Sequence, residues 1–391
     1  MNSLWLTTAH TPYFESLNDN LESDVCIIGA GVFGLSCAYY LSKAGLKVIV
    51  LEKDDIGQKT TGHTTGKITS QHGLFYNYLI NNFGESFAHD YLFANEEAIS
   101  NIKNIIDEEN INCDFEYKSN FVYTTNKSEI SKIKAEVESV NYLGFPANFV
   151  TKTGLPFEIA GAIQFKDQAQ FNVISYLDGL CNCIIKNNGE IYTNSTVFNV
   201  NKKGNSYITS AVNGTVTSKY VILASHFPFL NFPGIYFTKM YQSSSYIIGI
   251  DTKKTLFNGM YISSSPVYSF RTASYNGKEI LLLGGSEHKT GMAVNYSQTY
   301  GALEKYAKQL YPSCEILFRW DTRDCISLDK VPYIGPFSNT MENIYIGTGF
   351  KKWGMTSSNV AANIITNYIF GKKNKYAYVF NSTRMQPIKN R

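Results

Sequence analysis

Three glycines, Gly29, Gly31 and Gly34, form the pattern G-x-G-x-x-G, and Glu52 follows eighteen residues after the last of them (52 − 34). Glycines at this spacing let a chain turn tightly, let its backbone approach a pyrophosphate, and let a helix meet the preceding strand. The phosphate then sits on the helix N-terminus, where free amides and the macrodipole favour negative charge. An acid at the end of the next strand accepts hydrogen bonds from ribose hydroxyls. Glu52, in place of Arg or Ser, fits an unphosphorylated ribose, so FAD or NAD rather than NADP. A glycine turn with a chance acid nearby is the competing reading. Two more segments carry chemistry. Thr60-TGHTTGKITSQHG is rich in hydroxyls: Thr60, Thr61 and Thr65 can hydrogen-bond phosphates or ring edges, and Gly66 permits close approach. Gly347-TGFKKWGMTSS leads directly into a long helical pattern.

These residues need elements to hold them. Asp24-VCIIGAG-Val32 reads as a short buried strand running into glycines, Phe33 to Lys43 as a helix stopped by Gly45, and Lys47-VIVLE-Lys53 as a second buried strand. That is a βαβ unit of the length a parallel sheet requires. Helical spacing then covers 86–110, 127–143, 173–187, 299–310 and 354–370. Strand patterns cover 115–125, 189–200, 207–212, 219–225 and 344–350, and 237–320 is mostly β. Dinucleotide-type elements therefore lie at the start, middle and end of the chain. The expected fold is α/β: a Rossmann-like domain from 1–85, 150–232 and 318–391, interleaved with an α+β domain from 86–149 and 233–317 that carries a mostly antiparallel sheet.

Composition bounds the function. The 391 residues are too many for one compact core and suit two. The chain is 44% apolar and 17% charged, and 35 Lys+Arg against 32 Asp+Glu leave +3, a field too weak to draw nucleic acid or membrane. Seven cysteines show no metal spacing; Cys181 and Cys183 lie in a helical stretch where i,i+2 side chains diverge, so no metal is expected. The odd count, with an N-terminus lacking basic and apolar signal regions, points to reduced thiols in the cytoplasm. Val25 to Ser42 carries no charge and approaches the ~18–20 residues of a membrane span, but its three glycines make a buried strand, turn and helix the better reading.

Taken together, the motifs resemble the D-amino-acid oxidase/glycine oxidase superfamily of FAD-dependent oxidoreductases over nearly the whole chain. Thr60 to Gly73 looks like that family's second flavin loop, and Gly347 to Ser358 is similar to its closing motif. Lys219-YVILAS resembles a strand that ends in Ala-Thr-Gly in many members, here Ala224-Ser225-His226. Arg319-WDTRDCISLDKVPYIGP matches a turn in which Asp329, Pro332 and Gly335 stand at three-residue intervals. The resemblance implies FAD contacts at Gly29, Gly31, Gly34, Glu52, Lys53, Thr60, Thr61, His63, Thr65, Gly66, Lys67, Val197, Ala224, Gly349, Trp353, Gly354, Met355 and Thr356. Amides at 354–356 would face the flavin's pyrimidine edge, where reduction builds negative charge. His63 aligns with the histidine that carries 8α-linked FAD in dimethylglycine- and sarcosine-dehydrogenase-like relatives; an unlinked loop histidine beside the flavin is the alternative. Bacterial members with an appended Rieske domain look similar, but C-x-H…C-x-x-H does not occur in the sequence, so that electron acceptor is not expected here.

The resemblance also implies the reaction: hydride leaves the α-carbon of a neutral amine for flavin N5, and the imine hydrolyses. A small amine or amino acid is the expected substrate, with the electron acceptor left open. An arginine should hold a substrate carboxylate, because an unpaired buried ion is costly. Arg271 and Arg323 compete for that role, with a structural ion pair as the alternative for either. Lys67 would steady reduced flavin or orient a carboxylate, or else lie on the surface. His288, Tyr246 and Tyr241 are pocket candidates, against a structural histidine and two ordinary tyrosines among 28. The basic tail from Gly371 to Arg391 reads as a solvated surface. Rival functions are a flavoenzyme acting on modified tRNA, which the near-neutral charge disfavours, and a flavin-binding redox protein without amine chemistry.

Overall fold

In Val25–Ile28 and Val48–Leu51 every residue is buried, and successive side chains part to opposite faces. Val25, Ile27, Val48 and Val50 join one apolar cluster; Cys26, Ile28, Ile49 and Leu51 join another. Aliphatic, mostly β-branched residues buried on both sides are what a central parallel strand requires. A computed structural model describes residues 3–385 and builds a sheet around these two strands.

The elements begin with α1 (Leu4–Thr8), β1 (Asn20–Ile28), α2 (Val32–Lys43), β2 (Val48–Leu51), β3 (Lys67–Ile68), α3 (Tyr76–Phe83) and α4 (Glu85–Glu108). Next come β4 (Glu116–Thr124), α5 (Ile130–Tyr142), β5 (Ala147–Val150), β6 (Gly161–Gln170), α6 (Val173–Lys186), β7 (Glu190–Tyr192), β8 (Val197–Lys203), β9 (Ser206–Ala211) and β10 (Thr215–Leu223). The chain continues with β11 (Met240–Asp251), β12 (Met260–Ser263), β13 (Ser269–Tyr275), β14 (Lys278–Lys289), α7 (Tyr296–Leu310), β15 (Glu315–Ser327), β16 (Tyr333–Pro336), β17 (Ile344–Thr348) and α8 (Gly354–Ile369).

The first sheet runs β16-β17-β10-β1-β2-β7, parallel from β17 to β7, with the β8–β9 hairpin attached to β10. Helices α2, α6 and α8 pack together on one of its faces. The second sheet runs β15-β11-β14-β13-β12-β4-β6-β3, antiparallel except where β12 meets β4. The fold is α/β, with a parallel sheet and a larger, mostly antiparallel one. Ranges 1–85, 150–232 and 318–391 each supply strands to both sheets, because β3, β6 and most of β15 belong to the second. The uncharged run from Val25 to Ser42 is β1, a turn and α2, and no helix among the described residues is long and apolar enough to cross a membrane.

The basic tail differs from expectation. Lys372 and Lys373 are exposed, but Tyr376, Val379, Phe380 and Ser382 are buried. Lys389 and Arg391 lie outside the described residues. Arg384 clamps Asp329: Nε lies 2.7 Å from Oδ2 and Nη2 2.9 Å from Oδ1, and Nη1 donates to the Pro332 carbonyl at 2.8 Å. Counting charges hid this, because the acid answering the tail lies 55 residues upstream. Asp329 is thus a structural acid that ties the turn before β16 to the chain's end. Arg384→Ala strips that half-buried carboxylate of its guanidinium, leaving the Val331 N–H at 3.2 Å from Oδ1, and should cost about 3–5 kcal/mol. Urea unfolding measures it; a loss below about 1 kcal/mol would mean the tail is only a surface feature.

Candidate active site

The glycine loop is fixed by contact. Gly29 has φ +114°, and a Cβ added there would stand 2.5 Å from the Ala224 carbonyl oxygen. At Gly34 it would stand 1.9 Å from the carbonyl oxygen of Gly29. No side chain fits either place, so β1, α2 and β10 meet backbone to backbone. Gly31 caps α2 without any side-chain bond, and Val32 N donates to Thr61 Oγ1 at 3.2 Å. Glu52 is held against the same turn, Oε2 accepting from Ala30 N at 2.7 Å and Oε1 from Asp54 N at 3.1 Å. Burial raises its pKa against the pull of those two bonds. Lys53 is exposed and lies 3.9 Å from Asp54. Val197 is half-buried at the start of β8.

The second loop is tied down from four directions. Its residues Thr60–His63 form a 3₁₀ turn, and Thr60 Oγ1 donates to the Arg323 carbonyl at 3.0 Å. The His63 carbonyl accepts from Trp320 Nε1 at 3.0 Å, while His63 Nδ1 is engaged by the Lys59 carbonyl at 2.8 Å, which leaves Nε2 as its other ring nitrogen. From the N-terminal helix, Trp5 Nε1 donates to the Thr64 carbonyl at 2.6 Å. Arg271, only 3% exposed, donates through Nη1 to the carbonyls of Thr65 (2.7 Å), Gly66 (2.9 Å) and Phe171 (3.2 Å), and through Nε to Thr272 (2.9 Å). Its guanidinium lies 5.1 Å from the Trp5 ring, and burial brings its pKa down to about 9. Lys67 turns into the second sheet, where Nζ donates to the Tyr261 carbonyl at 2.9 Å and Ser269 Oγ at 2.8 Å. Burial, then the Arg271 charge, holds its pKa well below the usual lysine range.

The closing loop completes the arrangement. Gly349, Lys351 and Lys352 have φ of +72°, +49° and +69°, and Trp353 precedes α8 without a side-chain cap. The amides of Gly354, Met355 and Thr356 therefore open the helix as unspent donors. Trp353 stacks on His72 with ring centres 4.9 Å apart. His72 spans the buried space, Nδ1 to Tyr91 OH at 2.7 Å and Nε2 to the Thr69 carbonyl at 2.9 Å, and Thr356 Oγ1 reaches that same carbonyl at 3.2 Å. Burial keeps this histidine neutral, its pKa drawn down to about 3. Lys351 Nζ sits 3.7 Å from the Phe75 ring centre, and burial with the nearby Lys330 charge lowers its pKa to about 7. Lys352 Nζ lies 3.0 Å from Glu287 Oε2.

The remaining candidates lie elsewhere. Along β15, Trp320, Thr322 and Asp324 are buried while Arg323 is exposed. Tyr246 stacks on His288 at 5.7 Å and meets Tyr296 and Tyr300 of α7, and the charges that act on it are Asp321 and Arg323. Arg323, Tyr246 and His288 thus share the face covered by α7, away from the loops just described, and Tyr241 is exposed. The structure brings together Gly29–Gly34, Glu52, Thr60–Gly66 and Gly349–Thr356. Residues without a sequence-level role also enter: His72, Asp324, Glu287, Lys351 and Lys352. Strand alternation in Trp320-DTRD was the available signal for Asp324. Cavities of about 420 Å³ on α7 and 300 Å³ beside Glu109 touch none of these loops.

Residues 24–368 match the family described as FAD dependent oxidoreductase, DAO. The chain belongs to this family. It is 35% identical over 381 residues to the putative Rieske 2Fe-2S iron-sulfur protein YhfW of Bacillus subtilis, covering 97% of this chain and 75% of that one. It is 23% identical to gamma-glutamylputrescine oxidoreductase of Escherichia coli, covering 93% and 87%. The fold superposes on glycine oxidase from Geobacillus kaustophilus with a TM-score of 0.79 at 16% identity, over 94% of this chain and 100% of that one. The first sheet with its helices is accordingly a Rossmann-like FAD domain, and the protein is an FAD-dependent oxidoreductase. The glycine contacts, the two helix starts without side-chain caps and the half-buried Glu52 suit that cofactor.

If Glu52 accepts ribose hydroxyls, Glu52→Ala should weaken FAD binding by about 1.5–3 kcal/mol, read as FAD retained after gel filtration at graded concentrations; unchanged retention would exclude the ribose contact. Lys351 predicts a pH effect on the flavin-stripped protein. Its folded pKa lies near 7 against an ordinary 10.5, so the unfolded chain binds more protons between those values and stability rises with pH across that window. The slope from one such group is at most about 1.4 kcal/mol per pH unit. Lys351→Met should flatten it in urea unfolding between pH 7 and 10, and an unchanged slope would show that Lys351 stays charged in the fold.

Proposed function

We propose that this protein oxidises the C–N bond of a small amine or amino acid, with FAD lying along Gly29–Gly34, Glu52, Thr60–Gly66 and the start of α8. Segments 1–85, 150–232 and 318–391 would supply most of the cofactor's contacts. The observation that carries this reading is the convergence of two helix N-termini without side-chain caps, those of α2 and α8, on one hydroxyl-rich loop. The names of two relatives, a glycine oxidase and a gamma-glutamylputrescine oxidoreductase, give an amino acid and an amine.

Bound FAD supplies a two-electron acceptor. The chain supplies placement and electrostatics. Amides at 354–356 present partial positive charge where negative charge accumulates, without reorganising at the moment of reaction. The stacked Trp353 and His72, with Phe75 and Tyr91 behind them, keep water from that side. In the substrate, the C–H electron pair departs as hydride, the nitrogen lone pair completes a C=N bond, and water adds to release carbonyl and amine. The nitrogen must be neutral to do this. Anaerobic mixing with a panel of amines and amino acids should bleach the flavin band near about 450 nm. The bleaching rate should rise with pH through the substrate's own ammonium ionisation. A flavin that no amine bleaches would overturn the reading and leave a redox protein without amine chemistry.

A further inference from the structure

Neighbouring residues of β15 face opposite ways, and the acid rather than the arginine points inward. Asp324 is 8% exposed and lies on a stretch held by both loops assigned to the flavin. Thr60 Oγ1 donates to the Arg323 carbonyl, and Lys351 N donates to the Cys325 carbonyl at 3.0 Å. Among the described residues no donor reaches the Asp324 carboxylate within hydrogen-bond distance, and the charges that act on it through space are those of Lys352 and Glu287. Both neighbours are already committed. Lys352 pairs with Glu287 Oε2 at 3.0 Å, and Ser243 Oγ donates to Glu287 Oε1 at 2.8 Å. The structure therefore answers Glu287 internally and leaves Asp324 without a hydrogen-bond partner among the described residues. Burial raises the Asp324 pKa only to about 6, so the group is mainly ionised at neutral pH.

A buried carboxylate without donors is unfavourable unless something that binds there supplies them. Neither arginine proposed from sequence offers a carboxylate anchor beside it, since Arg323 is exposed on the α7 face and Arg271 is spent on backbone carbonyls. We infer that Asp324 anchors a positively charged nitrogen of the substrate other than the one being oxidised, so that the substrate class is an amine carrying a second cationic group. The oxidised nitrogen must be neutral to release hydride, so the anchored charge belongs to another atom. A substrate carboxylate in that place would meet Asp324 as a like charge. The inference rests on the C–N oxidation proposed above.

The test titrates FAD-loaded protein anaerobically with α,ω-diaminoalkanes of two to six carbons, the matching monoamines, and glycine, following the flavin spectrum for shift and for bleaching. Wild type should bind its best diamine at least about tenfold more tightly than the matching monoamine, as expected for a charge-assisted bond. Asp324→Asn should erase that preference. Lys352→Gln removes the lysine charge beside Asp324 and should tighten diamine binding several-fold, which reads the same carboxylate should the Asn variant fail to fold. Equal affinity for diamine and monoamine, a preference that survives Asp324→Asn, or glycine bound more tightly than any diamine would overturn the inference. Bleaching by any amine in the same cuvettes would still uphold C–N oxidation. Spectral shifts without bleaching would remove that oxidation while still deciding what Asp324 binds.

Discussion

Backbone packed directly on backbone at the end of β1 governs the rest of the molecule. With 1.9 Å between the Gly29 carbonyl oxygen and the place a Gly34 side chain would fill, α2 can cross β1 only at that point, and its first turn is aimed over the carboxyl ends of the parallel strands. Strands β1, β2, β10 and β17 run the same way, so everything that follows them emerges at one edge. Glu52 follows β2, Ala224 to His226 follow β10, and the Gly349–Trp353 loop follows β17. A ligand at that edge meets three loops and two helix starts at once, because strand direction alone has collected them.

The second sheet fixes the remaining loop in a different way. Arg271 and Lys67 are buried among neutral acceptors: Arg271 is satisfied by backbone carbonyls, Lys67 by a carbonyl and a hydroxyl, and neither by a carboxylate. Such bonds hold geometry without cancelling charge. Thr65 and Gly66 are locked to β13, Thr64 to Trp5, and His63 to Trp320 of β15. His72 and Thr356 then share the Thr69 carbonyl, so the second loop and the start of α8 are joined by one acceptor. The loop is consequently held by the protein's own bonds, which lowers the ordering cost for a ligand that binds there.

Much of this was legible in the sequence, for reasons that differ by element. The βαβ unit could be read because buried parallel strands need continuous aliphatic runs and their turn needs glycine. Helices at 85–108, 130–142, 173–186 and 354–369 could be read from their apolar spacing. What could not be read depended on partners distant in the chain. The tail's Arg384 meets Asp329, and Trp5 reaches the second loop across 59 residues. The direction of Arg323 hinged on a one-residue register, and a strand gives opposite answers for adjacent positions. Arg271 competes for the anchor role in the sequence, yet a cation among apolar residues draws in whatever carbonyls the fold leaves open, and here the second loop supplied them.

That pattern bears on where the positive potential of the site originates. Burial penalises three cations close to the loops: Lys67 is held far below its usual range, Lys351 near 7, and Arg271 near 9. Side-chain charge at this place is therefore partly withdrawn before it can act on a ligand. Helix-terminal amides carry only partial charge, keep it at any pH, and lose less when water leaves. The start of α8 carries no side-chain cap, so no cap among the described residues spends those donors. An anion forming in front of Gly354–Thr356 would find a potential that cannot titrate away, whereas one relying on Lys351 would lose its partner as pH rises past 7. The fold thus assigns charge stabilisation to the backbone, and leaves the buried lysines to packing and to the geometry of the closing loop.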